Sequence, residues 1–451
     1  MGKLFGTDGI RGKANSYPMT PEIAMRVGKA VARRFGGNHP KSRIVIGRDT
    51  RISGQMIESA LVSGILSMGI DVFLAGIIPT PAVAFLAARD ASIVAGIMVS
   101  ASHNPYYDNG IKIFQGSGLK LTDLDELELE SHILSGNDAN GNVSIRKIGV
   151  ALPLVSADEA YIEFLLNSLP KGFSLEGLKI VMDCSNGATC RVAPDVFSRL
   201  GAEVDTISNH PDGRNINDGC GSEHPQSLAA RVMDNRADIG LAFDGDGDRL
   251  IAVDESGCIL TGDQVLAICA SFYQKHGTLE GNRVVSTVMS NMGLSLALKE
   301  LGIDHITTRV GDRQVMSGML KCNAVLGGED SGHMIFRQHH TTGDGILTAL
   351  KLIEVMKTES RKLSSLRGVM TVFPQELIGV NVDRKPDLNS LPDVQRVIGE
   401  VEQQLDDRGR VLVRYSGTQP VCRVMVEGPS QEETRMCCRK IADQVEKTLG
   451  K

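Results

Sequence analysis

The sequence predicts an α/β protein made of three similar mixed α/β domains and a smaller C-terminal α+β domain. Through the first three blocks of the chain, apolar strand-like runs alternate with helix-like segments. This alternation is typical of βαβ units with parallel strands. The last block instead has one strand-like run before a helix, and two more between that helix and a C-terminal helix. The 451 residues are enough for about three domains of ordinary size.

The first block begins with a helix whose start can be read from the sequence. Thr20 is a suitable N-cap, and Pro21 suits the first helical position. The run RIVIG (43–47) then suits a buried strand. A helix over 55–68 and the strand DVFLAG (71–76) complete a βαβ unit, so we expect a parallel sheet.

The same order of elements recurs in the next two blocks and changes in the fourth. In the second block we expect strand, helix, strand and strand at 178–184, 188–200, 203–208 and 238–244. In the third block the same elements are expected at 283–290, 293–301, 304–309 and 324–328. The fourth block has expected elements at 378–383, 392–406, 411–416, 422–428 and from Gln431 onward. We place the domains at 1–152, 153–256, 257–366 and 367–451.

One polar, glycine-rich segment interrupts each block, and the first carries a serine. An apolar strand ends in SASHNP (100–105). Its small residues and proline present the Ser102 hydroxyl on a rigid turn, where a histidine or a metal can activate a serine nucleophile. Lys112, ten residues on, can reach a phosphate as a point charge. A plain turn in which His103 and Asn104 bond the backbone is the alternative.

The second segment, FDGDGDR (243–249), alternates aspartate with glycine between two strand-like runs. Alternate residues of an extended segment face one way, so Asp244, Asp246 and Asp248 can converge. Three close carboxylates repel unless a cation lies between them, and oxygen ligands suit Mg²⁺ or Ca²⁺. An EF-hand is disfavoured, because Arg249 stands where that loop needs glycine. A solvated acidic turn remains an alternative to the Mg²⁺ site, in which Arg249 would pair a phosphate.

The last two segments offer hydrogen-bonding groups suited to a sugar phosphate. In 326–336, alternating polar side chains can form a comb for sugar hydroxyls: Glu329, Ser331 and His333. In 414–423, a flexible turn between two arginines can form an anion nest: Arg414, Ser416, Gly417, Thr418 and Arg423. An ordinary turn is the alternative in both places.

Two further groups of polar residues are weaker candidates. Asp312-Arg313 in TRVGDR is either a local ion pair at a helix start or a contact to substrate phosphate. His339-His340 with Asp344 is expected in a solvated loop rather than at a metal.

Bulk properties exclude several classes of protein. The net charge is −6 and there is no long basic stripe, so we expect no nucleic-acid partner. There is no run of about 18 apolar residues and no apolar leader, so we expect a cytoplasmic protein without membrane contact. Nine cysteines without a C-x-x-C motif indicate reduced thiols rather than a disulfide framework.

Six motifs in chain order resemble those of the α-D-phosphohexomutase superfamily, and the resemblance covers the whole chain. They are FGTDGIRG (5–12), SASHNP (100–105), DGDGDR (244–249), VGDR (310–313), G-E-x-S-G-H (328–333) and R-x-S-G-T (414–418). Each motif is modest support alone, but six in the same order are strong support. The resemblance implies four domains around one central cleft.

The resemblance also implies a role for each candidate residue. Ser102 would carry a phosphate, and Mg²⁺ would be held by Asp244, Asp246 and Asp248 and would contact the seryl phosphate. The transferred phosphoryl group would be surrounded by Arg11, His103, Lys112 and Arg249. The sugar would be held by Glu329 and Ser331 with His333 nearby, and the distal phosphate by Arg414, Ser416, Gly417, Thr418 and Arg423. The general base would be His103 or His333.

The expected activity is the interconversion of glucosamine 6-phosphate and glucosamine 1-phosphate through a 1,6-bisphosphate, which feeds UDP-N-acetylglucosamine synthesis. Glucose or glucosamine 1,6-bisphosphate is the expected activator, and the protein is expected to be a monomer or a homodimer. Asp330, Tyr415 and Gln419 depart from the usual pattern of the subfamily that the motifs resemble most. The alternatives are a phosphomannomutase or phosphoglucomutase, a non-catalytic sugar-phosphate-binding protein, and a metal-dependent hydrolase.

Overall fold

The computed structural model describes residues 4–6, 8–37, 42–135, 145–416 and 420–450. Contacts divide the chain into two units. The first unit runs to Val288 and continues over Ile303–Gly368, and the second holds Met289–Gly302 and the residues from Val369 onward. None of the helices in the described ranges is long and apolar enough to cross a membrane.

The first unit begins with a six-stranded mixed sheet. Its strands are β1 (Ile10–Lys13), β2 (Arg43–Arg48), β3 (Asp71–Ile77), β4 (Ile93–Val99), β5 (Asp108–Gln115) and β6 (Ala151–Pro153), in the order β1-β5-β4-β2-β3-β6. Its helices are α1 (Pro21–Phe35), α2 (Gly54–Ser67), α3 (Thr80–Arg89) and α4 (Asp123–Ser135). The predicted parallel pair of β2 and β3 is confirmed, and β5 pairs antiparallel with both β1 and β4. The Thr20 side chain caps α1 as expected, accepting from the Ile23 amide at 3.4 Å.

A five-stranded sheet follows in the same unit. Its strands are β7 (Lys179–Asp183), β8 (Glu203–Ile207), β9 (Ile239–Phe243), β10 (Leu250–Asp254) and β11 (Ile259–Leu260), in the order β11-β10-β9-β7-β8. The helices around it are α5 (Ala157–Asn167), α6 (Val192–Arg199) and α7 (Gln226–Asn235). β9 and β10 are antiparallel, with Phe243 opposite Leu250, so residues 244–249 form the loop between them.

The third sheet has four strands. They are β12 (Arg283–Thr287), β13 (Asp304–Thr308), β14 (Leu326–Gly328) and β15 (Met334–Phe336), in the order β13-β12-β14-β15. Its helices are α8 (Gly262–Lys275), α10 (Asp312–Cys322), α11 (Gly345–Glu359) and α12 (Leu363–Leu366). β14 and β15 are antiparallel, and residues 329–333 form the loop between them.

The second unit is an antiparallel sheet with helices. Its strands are β16 (Gln375–Asn381), β17 (Arg410–Tyr415) and β18 (Val421–Glu427), in the order β16-β18-β17. Its helices are α9 (Met292–Glu300), α13 (Pro392–Leu405) and α14 (Gln431–Leu449). The buried Glu427 carboxylate accepts from the Met292 amide at 3.0 Å and the Arg410 guanidinium at 3.0 Å, which fixes the start of α9. The four domain ranges from the sequence stay a prediction.

The polar segments of the first unit follow strands as expected for a site in an α/β protein. Ser100–Ser102 follow β4, the loop at 244–249 follows β9, and the loop at 329–333 follows β14. Each of these three strands pairs in parallel with a neighbour, and sites in open α/β sheets gather at the carboxyl ends of such strands.

Candidate active site

Ser102 is buried in a strained turn with its hydroxyl directed at a carboxylate. Its side chain is 1% exposed, and its φ of +53° lies in the left-handed region, which is costly for a residue other than glycine. Its amide donates to Ser100 Oγ at 2.9 Å, which holds the turn. Its hydroxyl donates to Asp244 Oδ2 at 2.6 Å and lies 3.3 Å from His103 Nδ1.

Arg51, which the sequence analysis missed, holds this turn through hydrogen bonds to its backbone. Its guanidinium is fully buried and pairs with Asp49 at 2.9 Å. It donates to the carbonyl oxygens of Ser102 at 2.9 Å and Asn104 at 2.7 Å, and also to that of Pro105. The available signal was a D-x-R pair directly after the buried strand β2, at the edge where sites form.

Replacing Arg51 with methionine is expected to destabilise the first unit by about 3–5 kcal/mol, because it leaves the Asp49 charge and several carbonyl oxygens buried without their donor. Urea unfolding measures the loss. Arg231→Met is the control, since Arg231 pairs with Asp205 at the surface and should cost below about 1 kcal/mol. Equal losses of unfolding free energy in the two variants would contradict this role of Arg51 in holding the turn.

The DGDGDR loop brings its three carboxylates together. Asp244, Asp246 and Asp248 are buried, and each offers an oxygen within 4.8 Å of the others. Gly247, with a φ of +72°, makes the turn that this convergence requires. The Thr80 hydroxyl donates to Asp246 Oδ2 at 2.5 Å, which ties the loop to the start of α3. Among the described residues this is the one cluster of its kind.

The electrostatics of the cluster fit a bound cation. Burial and the charges of Asp248 and Asp246 raise the pKa of Asp244 well above its usual value. Within the described ranges, the Asp246 Oδ1 and Asp248 Oδ1 atoms are buried without a hydrogen-bond partner, which is costly unless something else binds them. A divalent ion with a preference for oxygen ligands, such as Mg²⁺, satisfies both conditions.

Lys112 and Arg11 gather beside the cluster through a shared carboxylate. The buried Lys112 ammonium lies 2.7 Å from Asp246 Oδ2, 3.1 Å from Asp248 Oδ2 and 3.1 Å from Asp8 Oδ2. Burial opposes a charged ammonium, but these carboxylates outweigh it and hold the pKa of Lys112 well above its usual value. Arg11 Nη2 pairs with Asp8 at 2.6 Å. Asp8 was missed, although it lies in the FGTDGIRG motif.

Arg249 lies near enough to His103 to act on its charge. Burial, then Arg249, lowers the pKa of His103 to about 4, so its imidazole is neutral at physiological pH. Arg249 Nη1 contacts Glu223 at 3.4 Å, and its Nε lies 3.9 Å from Asp248 and is without a hydrogen-bond partner in the described part of the chain. The guanidinium therefore keeps donor capacity for an anion.

The loop at 329–333 is held by a hydrogen bond between its two ends and by another to the VGDR motif. The Glu329 amide donates to the His333 carbonyl at 3.0 Å, and Glu329 Oε1 accepts from the Gly311 amide at 3.0 Å. Ser331 is half-buried and the His333 ring is buried. The structure thus joins two motifs that are separated in the sequence.

The predicted phosphate-binding turn lies in the second unit. Arg414 and Arg423 face each other on β17 and β18, and burial together with Arg423 lowers the pKa of Arg414. The Ser416 carbonyl accepts from Lys385 at 2.6 Å, which adds a third cation that sequence reasoning missed. Gly417 and Thr418 lie outside the described residues.

The expectation of a solvated loop around His339-His340 and Asp344 is wrong. His340 is buried with its Nε2 2.9 Å from the Pro81 carbonyl. Asp344 is buried too, accepts from the Tyr161 hydroxyl at 2.8 Å and caps α11 through the Leu347 amide at 2.9 Å. These groups pack the interior of the first unit.

Comparison with known proteins places this arrangement in a family. Models of the phosphoglucomutase/phosphomannomutase α/β/α domains I, II and III match residues 2–140, 159–257 and 261–373. The model of the C-terminal domain of the same family matches residues 377–444. The four matches follow the chain in the order of the family's domains.

Relatives and solved structures agree with this match. The chain is 55% identical to a phosphoglucosamine mutase of Syntrophus aciditrophicus, over 100% of both chains. A phosphoglucomutase/phosphomannomutase family protein from Burkholderia thailandensis has the same fold, with a TM-score of 0.79 and 23% identity over 99% of this chain and 98% of that one. An Aspergillus fumigatus N-acetylphosphoglucosamine mutase, solved with GlcNAc-6P and magnesium, gives a TM-score of 0.67 at 16% identity, over 99% and 96% of the chains. With all four domain models matched and a relative of this identity from end to end, the chain belongs to the phosphoglucomutase/phosphomannomutase family of α-D-phosphohexomutases, in the same branch as the bacterial phosphoglucosamine mutases.

Proposed function

We propose that the chain is an isomerase-class phosphotransferase that interconverts glucosamine 6-phosphate and glucosamine 1-phosphate through a phosphoserine at Ser102. The observation that carries the proposal is the 2.6 Å contact between the Ser102 hydroxyl and Asp244, inside a buried cluster of three carboxylates. A serine that bears a phosphate needs positive charge beside it, and this cluster is built to hold a cation. Binding alone would need neither the nucleophile nor the cluster.

Asp244, Asp246 and Asp248 would hold Mg²⁺, together with an oxygen of the seryl phosphate. The ion would supply charge neutralisation for the Ser102 oxygen when it leaves the phosphorus atom. Lys112, Arg11 and Arg249 add fixed positive charge around the phosphoryl group. Because phosphoryl transfer has a loose transition state, such positioning and charge supply most of the rate.

The reaction has two transfers of opposite direction. First, the C1 hydroxyl of glucosamine 6-phosphate forms a bond to the phosphorus on Ser102, the bond to the serine oxygen breaks, and the hydroxyl proton passes to a base. Glucosamine 1,6-bisphosphate results. After the sugar turns over, its C6 phosphate returns to Ser102 and the C6 oxygen regains a proton, leaving glucosamine 1-phosphate. Added glucose or glucosamine 1,6-bisphosphate would phosphorylate Ser102 and so activate the protein.

The two histidine candidates differ in what they contact. In an in-line displacement the attacking and leaving oxygens lie on opposite sides of the phosphorus. His103 lies 3.3 Å from Ser102 Oγ, which is the leaving oxygen in the first transfer. This contact favours His333 as the base for the sugar hydroxyl, with His103 beside the serine.

The remaining candidates would hold the parts of the substrate that do not react. Glu329 and Ser331 offer oxygens for the sugar hydroxyls. The distal phosphate would be held by the turn of the second unit, through Arg414, Ser416, Gly417, Thr418 and Arg423. The same turn would serve both transfers. In each transfer one phosphate of the sugar reacts at Ser102, and the turn would hold the phosphate at the other end of the sugar.

Parallel assays with glucosamine, glucose and mannose 6-phosphates test the substrate. With Mg²⁺ and a trace of glucose 1,6-bisphosphate, we expect the highest kcat/KM for glucosamine 6-phosphate. A higher value for mannose or glucose 6-phosphate would assign the protein to the phosphomannomutase or phosphoglucomutase alternative. Release of free phosphate at the rate of substrate loss would instead indicate a hydrolase.

A further inference from the structure

The VGDR motif contributes a carboxylate to the environment of His333. Asp312 is the first residue of α10, and its Oδ2 lies 3.7 Å from His333 Nε2. Among the described residues, it is the one carboxylate with an oxygen within 4 Å of a nitrogen of that ring. The His333 side chain is only 4% exposed, and neither ring nitrogen has a hydrogen-bond partner in the part of the chain that the structure describes. A buried ring with two unused nitrogens needs an explanation.

The position of the His333 ring is restricted by its packing. Gly343 lies directly against it, and a Cβ at that position would overlap the His333 Nε2 atom. The backbone of His333 is fixed by the hydrogen bond from Glu329. The Nε2 edge of the ring therefore faces Gly343 and Asp312.

Asp312 is itself held in place by a chain of alternating charges. It pairs with Lys120, whose ammonium also lies 2.5 Å from Asp8 Oδ1. Asp8 in turn contacts Lys112 at 3.1 Å, and Lys112 reaches the carboxylate cluster. Burial opposes ionisation of Asp312, but Lys120 outweighs it and keeps the pKa of this carboxyl below its usual value. Asp312 is therefore a fixed negative charge at neutral pH.

We propose that Asp312 is a positioning residue, which holds the proton of His333 on Nε2 and leaves Nδ1 as the nitrogen that takes the proton of the attacking sugar hydroxyl. This assignment rests on the proposed function. The 3.7 Å separation is longer than a hydrogen bond, so the proposal includes its shortening to hydrogen-bond distance when substrate binds. During attack, the hydroxyl proton moves to Nδ1, and the carboxylate of Asp312 stabilises the imidazolium that forms.

A double-mutant cycle tests whether Asp312 acts through His333. Asp312→Asn should lower kcat for glucosamine 6-phosphate about 10²-fold with little change in KM, because a positioned base contributes about 10²–10⁴-fold. Asp312→Glu should recover part of the loss. The double variant Asp312→Asn, His333→Asn should be no slower than His333→Asn alone, whereas independent effects would multiply. Multiplied effects, or a change confined to KM, would overturn the proposal.

Asp123→Asn is the matched control. Asp123 pairs with Arg313, the neighbour of Asp312, at 3.0 Å, but it is an exposed residue on α4. Loss of this ion pair should leave kcat unchanged, and a loss equal to that of Asp312→Asn would indicate a structural role for the whole motif.

A measurement on the unmodified protein covers the case in which Asp312→Asn does not fold. The ¹⁵N spectrum of the His333 ring should show the proton on Nε2. A proton on Nδ1 would overturn the proposal even in an active mutase. Absence of mutase activity in the unmodified protein would instead remove the proposed function, whatever the spectrum shows.

Discussion

Replacing Ser102 with alanine is expected to reduce mutase activity at least about 10⁴-fold, because the phosphoryl group then has no oxygen on the protein to occupy between the two transfers. The purified variant should also lack the covalent phosphate that we expect on the unmodified protein. The coupled assay measures the first effect, and the intact mass of the protein measures the second. Near-normal activity would remove Ser102 from the mechanism.

Ser100→Ala separates loss of the nucleophile from damage to its turn. The Ser100 hydroxyl accepts from the Ser102 amide at 2.9 Å and donates to Asp49 at 2.6 Å, so it supports the turn and does not touch the carboxylate cluster. We expect this variant to lose about tenfold in kcat, in keeping with a small misplacement of the reacting group. It should still carry phosphate. A Ser100→Ala variant as inactive as Ser102→Ala would attribute both losses to the turn.

Much of the fold was readable because its elements are regular and locally specified. The cap of α1 at Thr20 and the parallel pairing of β2 and β3 are confirmed. The second block shows where local patterns fail. A helix was expected near 188–200, but α6 covers only Val192–Arg199, and the residues directly before it form turns. The Ala188 amide also donates to the Gly245 carbonyl of the DGDGDR loop at 2.8 Å. The periodicity of the sequence cannot predict a contact between such distant residues.

The candidate site divides in the same way. Asp244, Asp246 and Asp248 alternate with glycine in a single loop, so their convergence could be predicted from their spacing. The D-x-R pair after β2 could mark Arg51 as a candidate, but its role could not be predicted, because the carbonyl oxygens that it holds lie more than 50 residues further along the chain. Lys120 and Asp312 are 192 residues apart and meet only when the first and third sheets pack. Sequence reasoning therefore found residues that gather within one loop and missed Arg51 and Lys120, whose partners lie far away in the sequence.

Replacing Asp244 with asparagine is expected to abolish activity and, in metal-free protein, to raise stability. The pKa of Asp244 is raised by burial and by two neighbouring carboxylates, so its charged form is unfavourable in the folded state. Removing that charge should raise the free energy of unfolding of the metal-free protein by about 1 kcal/mol. Gains of this size are typical when a residue kept for function is replaced. Thermal unfolding with a chelator measures the gain, and added Mg²⁺ should stabilise the unmodified protein but not the variant.

The pH dependence and a neighbouring variant sharpen this test. Because the folded-state pKa of Asp244 is raised, the folded state binds more protons than the unfolded state above the usual value of 3.8. The cost of its charge is therefore absent below that pH, and the advantage of Asp244→Asn should grow as pH rises above it. Asp246→Asn should also be inactive, but it should destabilise the metal-free protein, because it weakens the contacts of Asp246 with Lys112 at 2.7 Å and Thr80 at 2.5 Å. Equal destabilisation of both variants at alkaline pH would contradict this account. It would mean that repulsion between the three carboxylates does not destabilise the metal-free protein.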